Sequence, residues 1–253
     1  MVVTLTPVPG FPMVRPGDDL AGLLIAACEQ SGLAPADGDV VVVAQKIVSK
    51  AEGRYVDLAQ VRPSARAESL ARQVDKDPRL VEVILGESQR VVRHRPGVLI
   101  VEHRLGFVMA NAGVDRSNVD PDVGAEPVLL LPRNPDVSAA RLHDLLSAHF
   151  RSKPAVIITD SWGRAWRRGT VGVALGAAGL PALRDLRGRS DLFGHELRVT
   201  ETGFADEIAS AASLIMGQAD EAQPVVLVRG LSWPDAPTPG ATLVRRPDED
   251  LFR

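Results

Sequence analysis

Two residues that could hold a metal ion directly follow a short aliphatic run. Asp160 and Ser161 come after AVIIT (155–159), a run typical of a buried strand. An acid at the carboxyl end of such a strand is a common way for nucleotide enzymes to hold Mg²⁺, because the strand fixes the carboxylate and leaves room for ligand beyond it. An Asp in this position also often begins a turn or caps a helix, so this reading stays open as an alternative.

A second acid and two lysines lie in similar polar segments. Asp115 and Asn118 belong to NAGVDRSNVD, where turn formation explains the residue types equally well. Two acids from separate loops can converge on one hard cation, which prefers oxygen ligands. Lys46 and Lys50 lie in QKIVSK, and only four of the 29 basic residues are lysines. A compact ammonium makes a point contact to phosphate, so the pair hints at phosphate binding, although coincidence explains it too.

Several well-known site patterns are absent from the sequence. There is no G-x-x-x-x-G-K-[ST] phosphate loop, no G-x-G-x-x-G after a strand, no H-E-x-x-H and no G-x-S-x-G. Glycines in GVALGAAG (172–179) are interpreted as close packing or turns. The scattered histidines and Cys28 are interpreted as structural, and three arginines bind an anionic substrate or are simply solvated. The histidines are residues 94, 103, 143, 149 and 195, and the arginines are Arg164, Arg167 and Arg168.

Composition excludes several classes of protein. The 253 residues carry a net charge of −3, with 45% hydrophobic and 24% charged residues, which is average for a globular chain. This argues against disorder and against a protein that mainly coats nucleic acid or anionic membrane. The longest aliphatic run, 40–44, is too short to span a bilayer, and the first residues lack signal-peptide features, so a cytoplasmic protein is expected. A single cysteine excludes an internal disulfide and a cysteine-rich zinc site.

Strands and helices that would position these residues follow from apolar patterning. The run DVVVVA (39–44) predicts a strand buried on both faces, followed directly by a polar loop at 45–53. One domain over residues 1–253 is expected, with a loosely held tail at 231–253. Further strands are predicted at 2–8, 89–93, 98–102, 106–110, 155–159 and 224–228, and helices at about 19–30, 64–74, 78–86, 137–150 and 204–217.

Four ordered motifs resemble the coenzyme F420:L-glutamate ligase family. They are VVVAQKIVSKAEGR (41–54), VMANAGVDRSNV (108–119), VIITDSWGRAWRRG (156–169) and DLFGHELRVTETGFADEIASAASLIMGQ (191–218), and the likeness runs through nearly the whole chain. The resemblance implies an α+β fold with a mixed sheet, two closely associated subdomains and an intertwined homodimer. The tail EDLFR (249–253) resembles the start of the junction to a second, flavin-binding domain in some actinobacterial relatives, so an excised domain is one expectation.

The resemblance also implies an activity and a set of site residues. The family uses GTP and divalent metal, Mg²⁺ or Mn²⁺ with two ions and K⁺ as a further cation, to add L-glutamate to F420-0, or its dehydro form, through an acyl phosphate. The implied catalytic residues are Asp115, Asp160 and Lys50. The implied metal ligands are Asp115, Asp160, Ser161 and Gln218. The implied nucleotide contacts are Phe11, Pro12, Met13, Val14, Gln45, Lys46, Lys50, Asn118, Met216, Gly217 and Gln218.

Two other functions stay open at this point. One is a metal-dependent GTP phosphohydrolase that lacks the acceptor site, and the other is a non-catalytic module that binds a nucleotide or F420. The chemistry itself needs no reactive Cys and no Ser-His pair. Phosphoryl transfer depends mainly on positioning and charge neutralisation, which metal ions on Asp115 and Asp160 together with Lys50 would supply.

Overall fold

A mixed five-stranded sheet is the centre of the fold. The computed structural model describes residues 2–251. The sheet has the order β1-β12-β2-β8-β9, in which β2 and β8 are parallel and the other neighbours are antiparallel. This confirms the predicted α+β class with a mixed sheet. Its strands are β1 (Thr4–Pro7), β2 (Val40–Ala44), β8 (Ala155–Gly163), β9 (Thr170–Ala178) and β12 (Val225–Arg229).

Helices cover both faces of this sheet. The helices α1 (Leu20–Gln30) and α5 (Pro135–Phe150) pack with Val41 and Val43 of β2, whereas α6 (Phe204–Met216) packs with Val40 and Val42 on the other face. Val40 to Val43 are each at most 1% exposed, because alternate side chains of the strand enter opposite cores. The prediction that this strand is buried on both faces is confirmed.

A third apolar cluster lies in the middle of the chain, between about residues 56 and 130. It is formed around Leu58, Ile84, Leu99 and Leu130. Two small sheets contribute to this region, with orders β3-β7 and β4-β5-β6. Its strands are β3 (Tyr55–Asp57), β4 (Ser88–Arg95), β5 (Val98–His103), β6 (Val108–Ala110) and β7 (Pro127–Leu129), and its helices are α3 (Ala65–Val74) and α4 (Pro78–Gly86). The remaining elements are α2 (Gln45–Ala51), β10 (Arg184–Asp185) and β11 (Glu201–Thr202).

The expectation of a polar loop at 45–53 is wrong. The helix α2 begins at Gln45, directly after β2, with the extended residue Ala44 as its N-cap. Ala44 offers no side-chain cap to the free N–H groups, so the usual signal for a helix start is missing from the sequence. Ile47 and Val48 turn into the core and hold this short helix against the sheet.

The strand expected to end at residue 159 continues to Gly163. It forms a hairpin with β9, in which Asp160 is opposite Val173 and Ser161 is opposite Gly172. Asp160 therefore lies inside a paired strand, and pairing with Val173 of β9 fixes its backbone. The run 172–179 was interpreted as close packing or turns, and it falls largely within β9, a strand that the sequence analysis missed.

Close packing explains the glycines of β9. A methyl group added to Gly176 would lie 2.3 Å from the carbonyl carbon of Pro135 at the start of α5. One added to Gly172 would lie 2.3 Å from the carbonyl oxygen of Ala209 in α6. Two helix backbones thus approach the strand from opposite faces, and residues without a β-carbon permit this approach.

Within the tail expected to be loosely held, one part has defined contacts. The N–H of Gly240 donates to the Asp136 carboxylate at 2.6 Å, and the N–H of Thr238 donates to the carbonyl of Leu180 at 3.1 Å. The junction-like residues 249–253 extend beyond the described part of the chain. Among the described residues, none of the helices has the length and apolar character required to cross a bilayer.

Cys28 and two of the histidines occupy structural positions. Cys28 is 1% exposed, and burial, with the neighbouring charge of Glu29, raises the pKa of its thiol to about 11. His103 is fully buried and accepts the N–H of Leu105 at 3.0 Å. A ring nitrogen of His143 contacts the carbonyl of Pro154 at 2.8 Å. These contacts agree with the structural interpretation of Cys28, His103 and His143.

Gly176→Ala is expected to destabilise the protein by about 3 kcal/mol, because the added methyl group meets backbone that cannot rotate away. Gly163→Ala is the matched control from the same hairpin, since an added methyl group there has nothing within 4 Å. Denaturant unfolding of both variants measures the difference. Equal midpoints for the two variants would show that the helices do not constrain β9.

Candidate functional site

The parallel pair β2 and β8 brings two of the polar segments to one edge of the main sheet. Ala44 is opposite Thr159 in the register, so Gln45 and Asp160 follow at neighbouring positions. Carboxyl ends of adjacent parallel strands are where α/β sheets usually place ligands. A cavity of about 590 Å³ opens at this edge, a volume within the range of small-molecule sites.

The cavity gathers residues from five separate parts of the sequence. Its wall includes each residue predicted to contact the nucleotide, which are Phe11, Pro12, Met13, Val14, Gln45, Lys46, Lys50, Asn118, Met216, Gly217 and Gln218. Asp160, Ser161 and Gln218 of the predicted metal ligands also line it. The fourth, Asp115, lies beside the wall and forms an ion pair with Lys46, with the Lys46 Nζ to Asp115 Oδ2 distance at 2.9 Å. Their roles stay predictions, but their proximity is a property of the fold.

Asp160 lies in an environment that disfavours its negative charge. Burial raises the pKa of the Asp160 carboxyl to about 6, and the nearby charge of Asp115 acts in the same direction. The backbone N–H of Ser161, the ammonium of Lys46 and a hydrogen bond from Gln45 oppose this rise. Gln45 is oriented for this contact because its other amide atom, Oε1, accepts the Ser49 hydroxyl at 2.9 Å.

Lys46 balances the charge of both carboxylates. Besides its ion pair with Asp115, its ammonium donates to the hydroxyl of Ser117 at 2.6 Å and to the carbonyl of the same residue at 3.2 Å. Burial alone would raise the pKa of Asp115, but Lys46 and the two donors of Ser117 lower it. Asp115 is therefore ionised at neutral pH and fixed in place by its neighbours.

The donor set at this edge fits a hard divalent cation. Asp115 and Asp160 supply carboxylate oxygens, and the Ser161 hydroxyl donates to the Gln218 amide oxygen at 2.6 Å, which places two further oxygen atoms together. Oxygen donors of this kind suit Mg²⁺ and Mn²⁺. The raised pKa of Asp160 means that its ionised form is disfavoured, so a cation bound at this edge would stabilise the carboxylate. Within residues 2–251, no three His, Cys, Asp or Glu side chains form a metal-binding group, so Ser161 and Gln218 are needed to complete the set.

Lys50 is a buried ammonium on the wall of the same cavity. It is 6% exposed and lies one helical turn after Lys46. Burial, together with the positive charge of Lys46, lowers the pKa of Lys50, and the carboxylate of Asp120 opposes this change. No hydrogen bond connects its Nζ to another described residue. A buried cation of this kind is costly without an anion, so Lys50 is suited to receive an anionic group of a ligand.

Some residues that line the cavity were not singled out from the sequence. They include Arg15, Asp120, Thr159 and Ser213. Asp120 is the last residue of the polar segment NAGVDRSNVD, and this was the one signal in the sequence that could have identified it as a site residue. Because Pro121 follows it, the local sequence favours a turn and not a binding residue.

The three arginines of the hairpin lie elsewhere. Arg164, Arg167 and Arg168 are exposed in the turn between β8 and β9, and none of them belongs to the described cavity wall. The Arg164 guanidinium donates to the carbonyl of Gly169 at 3.2 Å, which closes the turn. The structure therefore agrees with the interpretation that these three arginines are solvated, and it does not place them where they would contact a ligand in the cavity.

Lys50→Met is expected to raise the free energy of unfolding of the ligand-free protein by roughly 1 kcal/mol at neutral pH, because it removes a buried charge and keeps the packing. The pKa of Lys50 is lowered in the folded protein, so the buried ammonium destabilises the native protein fully at pH values below that pKa. This destabilisation decreases as the pH rises through the pKa, because Lys50 then becomes neutral in the folded protein. The extra stability of Lys50→Met should therefore decrease toward about pH 10. Urea unfolding at both pH values measures it.

Lys153→Met, at an exposed lysine, is the control for this experiment. It removes the same charge without relieving any burial, so its stability should stay close to that of the native protein. A loss of stability in Lys50→Met as large as that of a typical core substitution would contradict the assignment of Lys50 as a strained ammonium.

Comparison with known proteins gives consistent results over the whole chain. The family model described as F420-0:Gamma-glutamyl ligase matches residues 10–230. The chain is 46% identical to the coenzyme F420:L-glutamate ligase of Methanothermobacter thermautotrophicus, over 100% of both chains. It is 46% identical to that of Methanopyrus kandleri, over 98% of this chain and 97% of the relative. It is 43% identical to that of Haloarcula marismortui, over 97% and 94%.

Proposed function

This chain belongs to the F420-0:gamma-glutamyl ligase family, and from that premise we propose that it is a GTP-dependent ligase that adds L-glutamate to F420-0 in the biosynthesis of coenzyme F420. The observation that carries the proposal is the cavity at the sheet edge where β2 ends beside Asp160 of β8. It gathers oxygen donors for a cation and a buried ammonium for phosphate within one small-molecule site.

The proposed reaction forms an amide from a carboxylate. Oxide is a poor leaving group, so the γ-phosphoryl group of GTP is transferred to the acceptor carboxylate, and the amine of glutamate then displaces phosphate from the resulting acyl phosphate. Repetition of this step at the γ-carboxylate extends the glutamyl tail. Both steps depend mainly on alignment and on neutralisation of phosphate charge.

Residues of the cavity wall supply that alignment in the proposal. Lys50 contacts a phosphate oxygen, and Gln45 and Asn118 hold the nucleotide together with the segment Phe11 to Val14 and the end of α6. Asp115, Asp160, Ser161 and Gln218 would hold Mg²⁺ or Mn²⁺. Such ions supply positive charge that neutralises the phosphates during transfer. The Lys50→Met variant, expected to be more stable, is then expected to lose nucleotide affinity, which is the usual conflict between stability and function at a binding site.

A direct assay separates this proposal from two others. The protein is incubated with GTP, Mn²⁺, L-glutamate and F420-0, and the product mass and GDP are measured. A glutamate-dependent gain in mass supports the ligase. GDP release without that gain would identify a GTP phosphohydrolase, and nucleotide binding without either product would identify a binding module.

Asp160→Asn is expected to remove nearly all ligation, because the amide keeps the shape of the carboxylate and loses its charge. The folded structure should persist, since the carboxyl of Asp160 already has a raised pKa and tolerates a neutral form. The same assay measures activity, and thermal unfolding checks the fold. Asp144→Asn, on the exposed face of α5, is the control. Turnover near the native rate in Asp160→Asn at saturating Mn²⁺ would exclude the proposed role.

We further propose a homodimer, supported by an exposed arm between β10 and β11. Residues 186–200 form backbone hydrogen bonds across the arm, such as Leu197 N–H to the Arg189 carbonyl at 2.8 Å, so the arm is ordered. It nevertheless exposes 98% of Leu192 and 86% of Phe193 to solvent. An ordered arm that exposes large apolar side chains in this way is typical of a surface covered by another chain.

Light scattering is expected to give twice the chain mass of 27.0 kDa. Phe193→Asp should shift the protein toward the monomer, because it would bury an unpaired charge in the interface. Val137→Asp, at an exposed residue of α5, should have no effect on the mass. A native mass near that of one chain at micromolar concentration, or no response to Phe193→Asp, would contradict an interface at this arm.

A further inference from the structure

Asp120 is an acid on the cavity wall that the proposed metal site does not use. Its Oδ1 accepts the N–H of Asp122 at 2.9 Å, at the start of a short 3₁₀ helix over Pro121–Val123. This hydrogen bond fixes the carboxylate, and in the described part of the chain no donor contacts its Oδ2. Asp120 lines the cavity, so its Oδ2 is available to a donor of a ligand bound there.

The charged residues of the cavity fall into two neighbouring sets. Lys46 joins Asp115 and acts on Asp160 in the first set. Lys50 follows one turn later on α2, and the opposite charge that acts on it is that of Asp120. The same carboxylate contributes to the raised pKa of Tyr55 in β3, after burial. Asp120 and Lys50 line the same cavity, and their charges are close enough to interact, so a group bound at Asp120 would lie in the same site as a phosphate at Lys50.

The proposed reaction needs a cationic substrate group at that position. An α-amino acid arrives with a protonated amine, and this nitrogen must come close to the acyl phosphate beside Lys50. We propose that Asp120 binds the ammonium group of the incoming L-glutamate and thereby directs its nitrogen toward the reacting carbonyl. The nitrogen gives one proton to solvent before it attacks and a second as the amide forms. The bond from the acyl carbon to the phosphate oxygen breaks, and inorganic phosphate leaves with the electron pair. This inference rests on the ligase function proposed above and names the subsite of one of its substrates.

A contact with guanine is the main alternative for this carboxylate, because guanine presents N–H donors that a carboxylate can accept. The position of Asp120 argues against it. The base of a nucleotide lies a sugar and a phosphate chain away from the terminal phosphate, whereas Asp120 is the acid whose charge acts on Lys50. The experiment below includes this alternative as an outcome.

Asp120→Asn tests the inference with little structural change. Asparagine is as good an N-cap as aspartate, so the hydrogen bond to Asp122 is kept while the charge is lost. Asp122→Asn, an exposed neighbour in the same short helix, is the matched control. The full chain is assayed with GTP, Mn²⁺ and F420-0, and KM is measured separately for L-glutamate and for GTP.

A second readout removes the amino acid. Hydroxylamine replaces L-glutamate and traps the acyl phosphate as a hydroxamate. A new bond forms from its nitrogen to the acyl carbon, the bond from that carbon to the phosphate oxygen breaks, inorganic phosphate leaves with the electron pair, and the nitrogen proton goes to the buffer. Hydroxylamine is largely neutral at neutral pH, so its reaction needs no partner for an ammonium group.

We expect Asp120→Asn to raise KM for L-glutamate about tenfold or more, the effect of losing a charge-assisted hydrogen bond. KM for GTP and the rate of hydroxamate formation should stay at the native values, and Asp122→Asn should behave as the native protein in each measurement. An unchanged KM for L-glutamate, an equal loss of both activities, or a weakened affinity for GTP would each overturn the assignment of Asp120. If the native protein forms neither product, the ligase function itself fails and the subsite fails with it.

Discussion

The parallel pairing of β2 with β8 is the constraint on which the site depends. The paired residues 40–43 and 155–158 are aliphatic and fully buried, so their register is fixed by packing on two faces. Because Ala44 and Thr159 are opposite each other, the next residues on each strand, Gln45 and Asp160, meet at one edge.

Charge at that edge is balanced locally. Lys46 pairs with Asp115 and reduces the repulsion between Asp115 and Asp160, while Lys50 remains buried without an anionic hydrogen-bond partner in the described residues. A carboxyl with a raised pKa and an ammonium with a lowered pKa, both in one cavity, mark this cavity as a candidate functional site. The same features reduce the stability of the ligand-free protein, since each buried charge has a desolvation cost.

Glycines hold the second strand of the hairpin in place. Gly172 and Gly176 let the backbones of α6 and α5 approach β9 from opposite faces. Since β9 pairs with β8 through Asp160 and Ser161, this packing also fixes the backbone of the two predicted metal ligands. The site is therefore built on rigid elements, and α6 ends at Met216, where the loop that carries Gln218 begins.

The sequence by itself determined the buried strand 40–44, most helices, the family and the residues predicted to surround the nucleotide, because apolar periodicity and ordered motifs are local properties. Tertiary structure decided the rest. The short helix after Ala44 has no capping signal and exists because Ile47 and Val48 pack in the core. The strand β9, which contains Gly172 and Gly176, packs against two helices that lie far from it in the sequence. The pairing of Lys46 with Asp115, and the position of Asp120 near Lys50, join segments about 70 residues apart, and spacing along a chain does not encode such distances.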